Sequence, residues 1–599
     1  MSFHSLEYAI FFVVVFLVFW SLHRFGIGKI IFLLIASWLF YASANPWFLV
    51  LLLISTVMDY FVAIQIDKQT IQRRRKLWLA VSVVVNLALL GTFKYANFFK
   101  ETFVDVANLF GADIAYKAWD IFLPAGISFY TFMTLSYTVD IYKREIPVER
   151  NFIRFAFFIG FFAHLVAGPI VRARDLLPQI PRKSFVSRQQ ASRALWLIAI
   201  GVLKKVMVAD VIGVDIVQKV WGSTNLVSSA DVLIGLYAYT MQIYLDFSAY
   251  SDIAIGSALL LGYHLPDNFD RPYAALSISN FWRRWHMTMS SFLRDYVYFP
   301  LGGGRGKDWQ VYRNLFVTFF LIGLWHGANW NFALYGTGHA LAMMLHRWIR
   351  KRAGEPIVPL VLGGGFLGLI VSVLIGALAG VVPGLIVVMG LAGTGLAIAL
   401  TVRLTRSAPA HIDKILVGRS LGVLGLGLGT GAIAMKLLGH LGSTGHLAAV
   451  GIAVLVAAIA GSLAAKPANT SKDEDAQKTA WGVIWRVALT LNFVVFMRIL
   501  FRSAEPGMSS IQAFGKAGTI VERLFAGYWN HVTVMSPWLW TLLIGSYVVH
   551  FTPRAWVEST WVAFRRWPMT VQGMAFAAFV LVIAATSGGR PLPFEYFQF

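Results

Sequence analysis

Apolar runs of membrane-spanning length recur along this chain, and short polar segments separate them. The first lie near residues 6–22, 30–44 and 46–66, and similar runs continue to residues 570–586. A helix needs about 20 apolar residues to cross a bilayer. The pattern therefore predicts an all-α fold, a polytopic bundle of membrane helices.

Basic residues cluster between these runs, and their placement predicts an orientation. The strongest cluster is residues 67–76 (DKQTIQRRRK), and another lies at residues 23–29. Positively charged loops are kept on the cytoplasmic side of a membrane. Placing residues 67–76 in the cytoplasm places residues 23–29 there too. The N-terminus then lies outside, and the count of later spans also leaves the end of the chain outside.

The apolar run at residues 152–171 has basic residues at both ends. A simple crossing would leave one of these two basic clusters outside, against the charge rule. We therefore expect a re-entrant or tilted segment that carries His164, Gly168 and Pro169. Non-helical backbone is tolerated at membrane depth where it is packed in protein or lines a wet cavity. A plain crossing that breaks the charge rule is the alternative.

Composition divides the chain into parts. Residues 356–465 are rich in Gly, Ala, Leu and Val and fit four spans, and a polar linker, KPANTSKDEDAQK, comes next at residues 466–478. Because an even number of spans returns the chain to the side it left, this block does not reorient the C-terminal spans. The predicted parts are a core at 1–350 with a catalytic region at 281–339, an accessory module at 351–480, and C-terminal core spans at 481–599.

Charge and cysteine content exclude several kinds of protein. Charged residues are only 13% of the chain against 58% hydrophobic, and the formal net charge is +22. Since the basic residues lie in short loops between apolar runs, we expect contact with membrane lipids and no nucleic-acid partner. The absence of cysteine excludes thiol nucleophiles and cysteine metal sites. No acidic cluster has metal-ligand spacing, so we predict no metal site.

Histidine is then the group best suited to proton transfer, and the stretch 281–339 contains the strongest candidates. His326 follows the apolar run LIGLW and precedes Gly327. Ionisable groups at membrane depth often mark a substrate path or a reaction centre. A neutral imidazole there can accept a proton from an attacking hydroxyl. A buried histidine bonded to a backbone carbonyl is the structural alternative.

A second histidine, His286, lies in a basic stretch with Arg283, Arg284 and Arg294. The functional interpretation is a basic lining for an anionic donor such as the phosphates of coenzyme A, with His286 orienting or assisting. An interfacial anchor of Arg and Trp is the alternative. His339, in an apolar helix, fits a packing role better.

Several stretches resemble the membrane-bound O-acyltransferase superfamily, and in particular its bacterial alginate O-acetyltransferase branch. They occur in family order along residues 1–350 and again at 481–599. The stretches are FKYANFF (93–99), LPAGISFYTF (123–132), AGPIVR (167–172), QIYLDFSAYSDIAIG (242–256), FWRRWHMTMSSFLRDYVYFPLGG (281–303), GLWHGANWNFALYGTGHA (323–340) and the ending FEYFQF.

The resemblance implies a central tunnel through the helical bundle. His326 falls on the family's WHG histidine and would be the general base, and His286 falls on the second histidine position. Trp325, Trp330 and Asn329 would line the tunnel. The resemblance also implies acetyl-coenzyme A or another acyl donor as co-substrate from the cytoplasm, without a bound cofactor. It further implies a periplasmic partner protein that acetylates an exopolysaccharide, and a bacterial inner membrane location with both termini periplasmic.

Two other functions stay open. D-alanyl transfer from a carrier protein to teichoic acid occurs within the same superfamily. A transporter or channel is the alternative from another class, because Lys204, Lys205, His164 and Asp246 would suit an ion path. We expect Asp246 and Asp252 instead to pair with basic residues in the core.

Overall fold

The computed structural model describes residues 3, 5–222, 227–351, 480–526, 529 and 532–586. These residues form helices joined by turns and irregular segments, and this described part of the chain contains no strand. The predicted all-α class is thereby confirmed. The four expected spans at 356–465 and the linker at 466–478 lie outside the described residues.

The helices are numbered in chain order. The first are α1 Leu6–Ser21, α2 Ile27–Ala42, α3 Pro46–Lys68, α4 Gln72–Leu90, α5 Ala96–Leu109, α6 Ile127–Lys143, α7 Phe152–Gly160, α8 Phe162–Leu165, α9 Ala173–Leu176, α10 Arg188–Val202, α11 Asp210–Ile212 and α12 Gln218–Gly222. The others are α13 Ser229–Leu260, α14 Ile278–Trp282, α15 Met287–Leu293, α16 Asp308–His326, α17 Trp330–Lys351, α18 Ala480–Ser503, α19 Ser510–Phe525, α20 Pro537–Phe551, α21 Arg554–Arg566 and α22 Met569–Thr586. Wider π-helical turns lie at Gly91–Tyr95, Leu203–Ala209, Gly213–Val217 and Arg294–Tyr298.

The chain forms two compact units. The first consists of Met1–Met343, Trp485–Ile520 and His531–Phe599, and it contains every site described below. The second consists of Met344–Ile484 and Val521–Asn530. Because residues 352–479 are not described, the proposed division into core, accessory module and C-terminal spans stays a prediction.

Two described helices are long and apolar enough to cross a membrane on their own. They are Pro46–Lys68 and the continuous stretch Gln72–Asn108. A third is added if Arg554–Arg566 and Met569–Ile583, which bend by 116° at their junction, count as one broken span. The helices α1 and α2 are apolar but have only 16 residues each. Many of the expected spans are therefore shorter or more broken than the hydropathy pattern predicts.

The scattered Lys and Asp residues at 94–120 favour a polar segment outside the spans, but residues 94–108 are helical. The helix continues from α4 through the π turn Gly91–Tyr95 into α5. The side chains of Phe98 and Val104 on α5 are buried, whereas those of Lys100 and Asp105 are half-buried. An amphipathic helix carries both kinds of residue, so charge content alone did not distinguish it from a loop.

The basic cluster at residues 67–76 is likewise mostly helical. Residues 69–71 connect α3 to α4, and the cluster's Arg75 is 3% exposed. Its guanidinium donates hydrogen bonds to the carbonyls of Ile141 and Tyr142, 3.1 and 2.7 Å away, at the end of α6. This arginine therefore caps a helix C-terminus, where a cation is favoured.

The segment at residues 152–171 is broken, not one continuous helix. The helix α7 ends at Gly160, Phe161 has extended backbone (φ −60°, ψ 120°), and α8 lasts only four residues. His164 is 1% exposed and its Nε2 lies 2.9 Å from the carbonyl of Phe158. The irregular backbone is packed inside protein, while its path through a membrane stays a prediction.

The long helix α13 forms the centre of the first unit, because residues on all its sides are buried over most of its 32 residues. Two of its aspartates form ion pairs with lysines of the π turn Leu203–Ala209. Lys205 lies 2.8 Å from both Asp210 and Asp246, and Lys204 lies 2.7 Å from Asp252. The expected pairing of Asp246 and Asp252 with basic residues is confirmed.

Candidate active site

His326 is the last residue of α16, and a tight hairpin with α17 positions it. Gly323 on α16 and Gly336 on α17 face each other, because a Cβ atom built on either would lie 2.9 Å from backbone atoms of the other. Real Cβ atoms do not approach backbone that closely, so only glycine allows this contact. Both glycines belong to the stretch GLWHGANWNFALYGTGHA, which thereby fixes the helix end that carries the imidazole.

Aromatic rings enclose the His326 side chain, which is 3% exposed. The ring centroids of Trp325, Phe501 and Tyr335 lie 5.0, 5.1 and 5.9 Å from that of the imidazole. They come from α16, α18 and α17, so three helices together build the enclosure. Tyr335 also packs against His339, with ring centroids 4.5 Å apart.

His286 is also fully buried and adopts an unusual backbone conformation. It precedes α15 with φ 42°, in the left-handed region that a non-glycine residue seldom occupies. Its Nδ1 lies 2.9 Å from Oδ1 of Asn268. A backbone hydrogen bond fixes the next residue as well, because the N–H of Met287 donates to the carbonyl of Asn268 at 2.9 Å. Strained residues of this kind cluster at functional sites.

The hydrogen bonds around Asn268 determine which nitrogen of His286 carries the proton. The backbone N–H of Thr288, which can only donate, points at the same Oδ1 atom at 3.4 Å, and the Thr288 hydroxyl lies 2.9 Å from it. The backbone N–H of Ile170 in turn donates to that hydroxyl at 3.0 Å. Oδ1 is therefore an acceptor, and Nδ1 of His286 is the donor. Nε2 of the neutral ring is left with a lone pair, and it has no hydrogen-bond partner among the described residues.

The side chain of Trp325 lies against both histidines. Its ring centroid is 5.6 Å from that of His286 and 5.0 Å from that of His326. Two histidines that are 40 positions apart in the sequence thus meet at one indole. Because each is enclosed by aromatic side chains, charge that develops here would be weakly screened.

Arg498, which was not among the predicted site residues, belongs to the same enclosure. It is fully buried on α18, its guanidinium lies 4.9 Å from the Trp285 ring and 5.3 Å from the Phe501 ring, and it donates to the hydroxyl of Tyr335 at 3.5 Å. A charge inside the apolar run at 481–501 was the available signal, because such residues usually face a functional cavity or a partner.

The three arginines predicted to bind the donor lie at differing depths. Arg283 is exposed and Arg284 is half-buried. The Arg294 side chain is 56% exposed and pairs with Asp295 at 2.8 Å. Asp295 also binds the buried Arg172, again at 2.8 Å. These ion pairs leave the donor-binding role of the arginines a prediction.

Of the three residues predicted to line a tunnel, Trp325 is the one in contact with both histidine rings. Trp330 is 38% exposed, its ring lies 5.3 Å from that of Phe98, and its indole N–H donates to Thr102 at 3.2 Å. Asn329 is buried and donates to the carbonyl of Met508 at 3.4 Å. The tunnel itself stays a prediction.

His339 has the contacts of a packing residue. It is fully buried, and its Nδ1 accepts a hydrogen bond from the indole N–H of Trp282 at 3.2 Å. A ring of Phe493 lies 5.1 Å away. Among the described residues, no group of three or more His, Cys, Asp or Glu side chains is arranged to hold a metal ion.

Comparison with known proteins finds several relatives that are named as enzymes transferring an acyl group to a cell-surface polymer. The probable alginate O-acetylase AlgI of Pseudomonas aeruginosa is 40% identical over 327 residues, which are 54% of this chain and 62% of the relative. The peptidoglycan O-acetyltransferase of Helicobacter pylori is 36% identical over 341 residues, with 53% and 64% covered. The teichoic acid D-alanyltransferase of Bacillus subtilis is 28% identical over 240 residues, with 38% and 59% covered. The match spans less than two thirds of each of these relatives.

The model of the MBOAT, membrane-bound O-acyltransferase, family matches residues 134–354. This range contains both His286 and His326, together with the three arginines predicted to bind the donor. The apolar helices agree with a membrane protein. The chain therefore carries a membrane-bound O-acyltransferase family domain at residues 134–354, and the two relatives above with the higher identity are named as O-acetylating enzymes.

Proposed function

We propose that this protein is a membrane O-acetyltransferase that moves an acetyl group from a cytoplasmic thioester donor, acetyl-coenzyme A, towards a polysaccharide outside the cytoplasmic membrane. The single observation that carries the proposal is the convergence of His286 and His326 on the indole of Trp325. The names of the O-acetylating relatives support the acyl group, and the family domain supports the reaction class.

His326 acts as the general base. Its imidazole takes the proton of the acceptor hydroxyl while the oxygen attacks the carbonyl carbon of the thioester. The tetrahedral intermediate then collapses as the carbon–sulfur bond breaks, and the departing thiolate takes the proton from the imidazolium. General-base catalysis of this kind contributes typically about 10²–10⁴-fold to a rate.

Two neighbours assist this step. Nε2 of His286 offers a lone pair inside the enclosure, because Asn268 holds the other nitrogen as a donor. That lone pair accepts a hydrogen bond from a second hydroxyl of the acceptor, and so orients the acceptor while His326 takes the proton of the attacking hydroxyl. The positive charge of Arg498, which acts electrostatically on the His326 ring, favours the negative charge that develops on the carbonyl oxygen.

Substrates reach His326 only after side chains move, because the ring is 3% exposed and enclosed by aromatic residues. Opening of this kind on binding is common among enzymes that exclude water from the reaction. The donor approaches from the cytoplasm. The acceptor hydroxyl approaches from the other side and belongs to the polysaccharide itself or to a periplasmic partner protein that passes the acetyl group on to it. The location is a bacterial inner membrane with both termini outside.

The transporter alternative is weakened by the ion pairs of Lys204 and Lys205, since their contacts are those of a structural network. D-alanyl transfer stays within the same family, but the D-alanyltransferase is less similar to this chain, at 28% identity, than the O-acetylase, at 40%.

The test uses membrane vesicles that contain the full chain and measures free thiol released from acetyl-coenzyme A, with alginate oligosaccharides as acceptor. We expect His326→Ala to lower this rate by about 10²–10⁴-fold. The exposed His264, in His264→Ala, is the matched control and keeps the parent rate. Near-parent thiol release by His326→Ala would refute the proposal. If the vesicles are active only with a D-alanyl carrier protein as donor, the transferred group is D-alanyl and not acetyl.

A further inference from the structure

The stretch FKYANFF, residues 93–99, has no part in the chemistry proposed above. It begins inside the π turn Gly91–Tyr95, which joins α4 to α5. Single π turns inside longer helices are frequent at functional sites. The position of this turn in the fold explains what the stretch does.

Two residues of the turn bind the end of the helix that carries His326. The hydroxyl of Tyr95 donates to the carbonyl of Leu324 at 2.8 Å. The ammonium of Lys94 donates to the carbonyl of Trp325 at 2.5 Å and lies 3.4 Å from that of His326. Three successive carbonyls of the last turn of α16 thus accept hydrogen bonds from two adjacent side chains, about 230 positions earlier in the chain.

The helix end needs such partners, because its own backbone does not provide the common glycine cap. The last four carbonyls of a helix have no partner within the helix. Gly327 follows His326 with extended backbone, φ −165° and ψ 156°, rather than the left-handed turn with which glycine usually caps a helix. The side chains of Lys94 and Tyr95 take over this task.

Lys94 also brings a positive charge to the negative end of α16. A cation at a helix C-terminus is favoured by the helix dipole. The ammonium lies 5.9 Å from the centroid of the Trp325 ring and acts electrostatically on the His326 imidazole. It is thus positioned to hold the backbone of both residues and to influence the charge of the ring.

We propose that Lys94 and Tyr95 form a clamp that fixes the last turn of α16 and so sets the position of the His326 imidazole. They are positioning residues, because they act through the backbone of residues 324–326. The long continuous helix Gln72–Asn108 gives the clamp a rigid base. This inference rests on the proposed role of His326 as the general base.

The clamp matters for rate more than for donor binding. A catalytic group displaced by about 1 Å can cost 10²-fold in rate. Loss of the Lys94 ammonium lets the last turn of α16 fray, so the imidazole loses its fixed geometry. The exposed arginines and the remainder of the donor path are untouched, so the affinity for the donor should not change.

The test compares Lys94→Met, Tyr95→Phe and Lys100→Met in the full chain. Lys100 is a matched control on the same helix, because its ammonium also donates to a backbone carbonyl, that of Lys117 at 2.7 Å, away from His326. We expect Lys94→Met to lower kcat by roughly 10–100-fold with KM for acetyl-coenzyme A unchanged. Tyr95→Phe, which removes one hydroxyl, lowers kcat less, and Lys100→Met leaves both constants unchanged.

Lys94→Arg provides the rescue, because a guanidinium also donates to carbonyls and keeps the charge. We expect it to recover most of the lost kcat. If Lys94→Met fails to accumulate in the membrane, Tyr95→Phe carries the test, since the two side chains have nearly the same shape. Equal losses in Lys94→Met and Lys100→Met, or a rise in KM with kcat unchanged, would overturn the clamp.

The outcomes separate the clamp from the proposed function. Full kcat in both Lys94→Met and Tyr95→Phe, together with an inactive His326→Ala, refutes the clamp and leaves the general base intact. An active His326→Ala refutes the general base itself, whatever the Lys94 variants do.

Discussion

Two buried polar clusters in the same unit use ionisable residues in opposite ways. The ammonium of Lys205 lies 2.8 Å from Asp246 and 2.8 Å from Asp210, so opposite charges are in direct contact. Around His286 the partner is the neutral amide of Asn268, and the remaining neighbours include the rings of Phe247 and Trp325. The first cluster forms ion pairs that hold helices together. The second leaves a nitrogen lone pair inside an aromatic enclosure, which suits proton transfer.

The difference matters because both clusters look alike in the sequence. Each consists of polar residues inside apolar runs, and each suggested a functional site. Their partners, which only the fold reveals, separate a structural network from the proposed reaction centre. Variants of the two clusters should therefore fail in different ways, the first through stability and the second through rate.

The largest expected effect is on stability, from Lys205→Met. Removing one partner of a buried ion pair costs about 3–5 kcal/mol, because the other charge is left buried. We expect a markedly lower midpoint of thermal unfolding in detergent and less protein in the membrane. Adding Asp246→Asn should restore part of the loss.

Lys204→Met is the matched comparison, because Lys204 and Asp252 are 23% and 20% exposed and their pair is worth less. An unfolding midpoint for Lys205→Met equal to that of the parent would contradict the structural role of this network.

The next effect is on rate, from His286→Ala. We expect kcat to fall by about 10²-fold, within the range of general acid–base assistance, while the variant accumulates normally. Thiol release from acetyl-coenzyme A in vesicles measures the rate, and the unfolding midpoint measures the fold. If the variant loses stability but keeps its rate per folded molecule, the role of His286 is structural and not catalytic.

A smaller effect should result from Asn268→Ala, which removes the acceptor that sets the tautomer of His286. A lost buried hydrogen bond costs about 1–3 kcal/mol, so kcat should fall by roughly 10-fold or somewhat more. Combining it with His286→Ala should add little, because both changes act on one imidazole. Fully additive losses would show that Asn268 acts independently of His286.

The smallest effect concerns the arginines predicted to bind the donor. Arg294 is largely exposed and already pairs with Asp295, so Arg294→Ala removes a charge worth about 0–1 kcal/mol. We expect KM for acetyl-coenzyme A to rise by no more than about fivefold, with kcat unchanged. A large rise in KM would place Arg294 directly on the phosphates of the donor.

Much of the site could be predicted from particular residues. His326 and His286 stood out because imidazoles are rare in apolar runs and because the surrounding stretches resemble a known family. The pairing of Asp246 with a lysine could be predicted from the cost of an unpaired charge at depth. Lys94 and Arg498 were missed as parts of the site, since each lies far from both histidines in the sequence. Asn268 lies only 18 positions before His286, but no local pattern shows that the chain folds back to bring the two side chains together.

The boundaries of the spans were the weakest predictions. The charges at residues 94–120 favoured a polar segment, yet residues 94–108 are helical, with Phe98 and Val104 buried. The four-residue helix α8 could not be foreseen, because hydropathy reports how apolar a run is and not whether its backbone bends.

Composition and local order are enough to show that this chain is helical, apolar enough for a membrane and without cysteine, and that histidine is the residue type best suited to moving protons. Which polar groups meet depends on the folded chain, because contacts such as Lys94 with the end of α16 join segments more than 200 positions apart. Close packing, through the glycines that let α16 and α17 touch, sets those distances, and no local pattern encodes them.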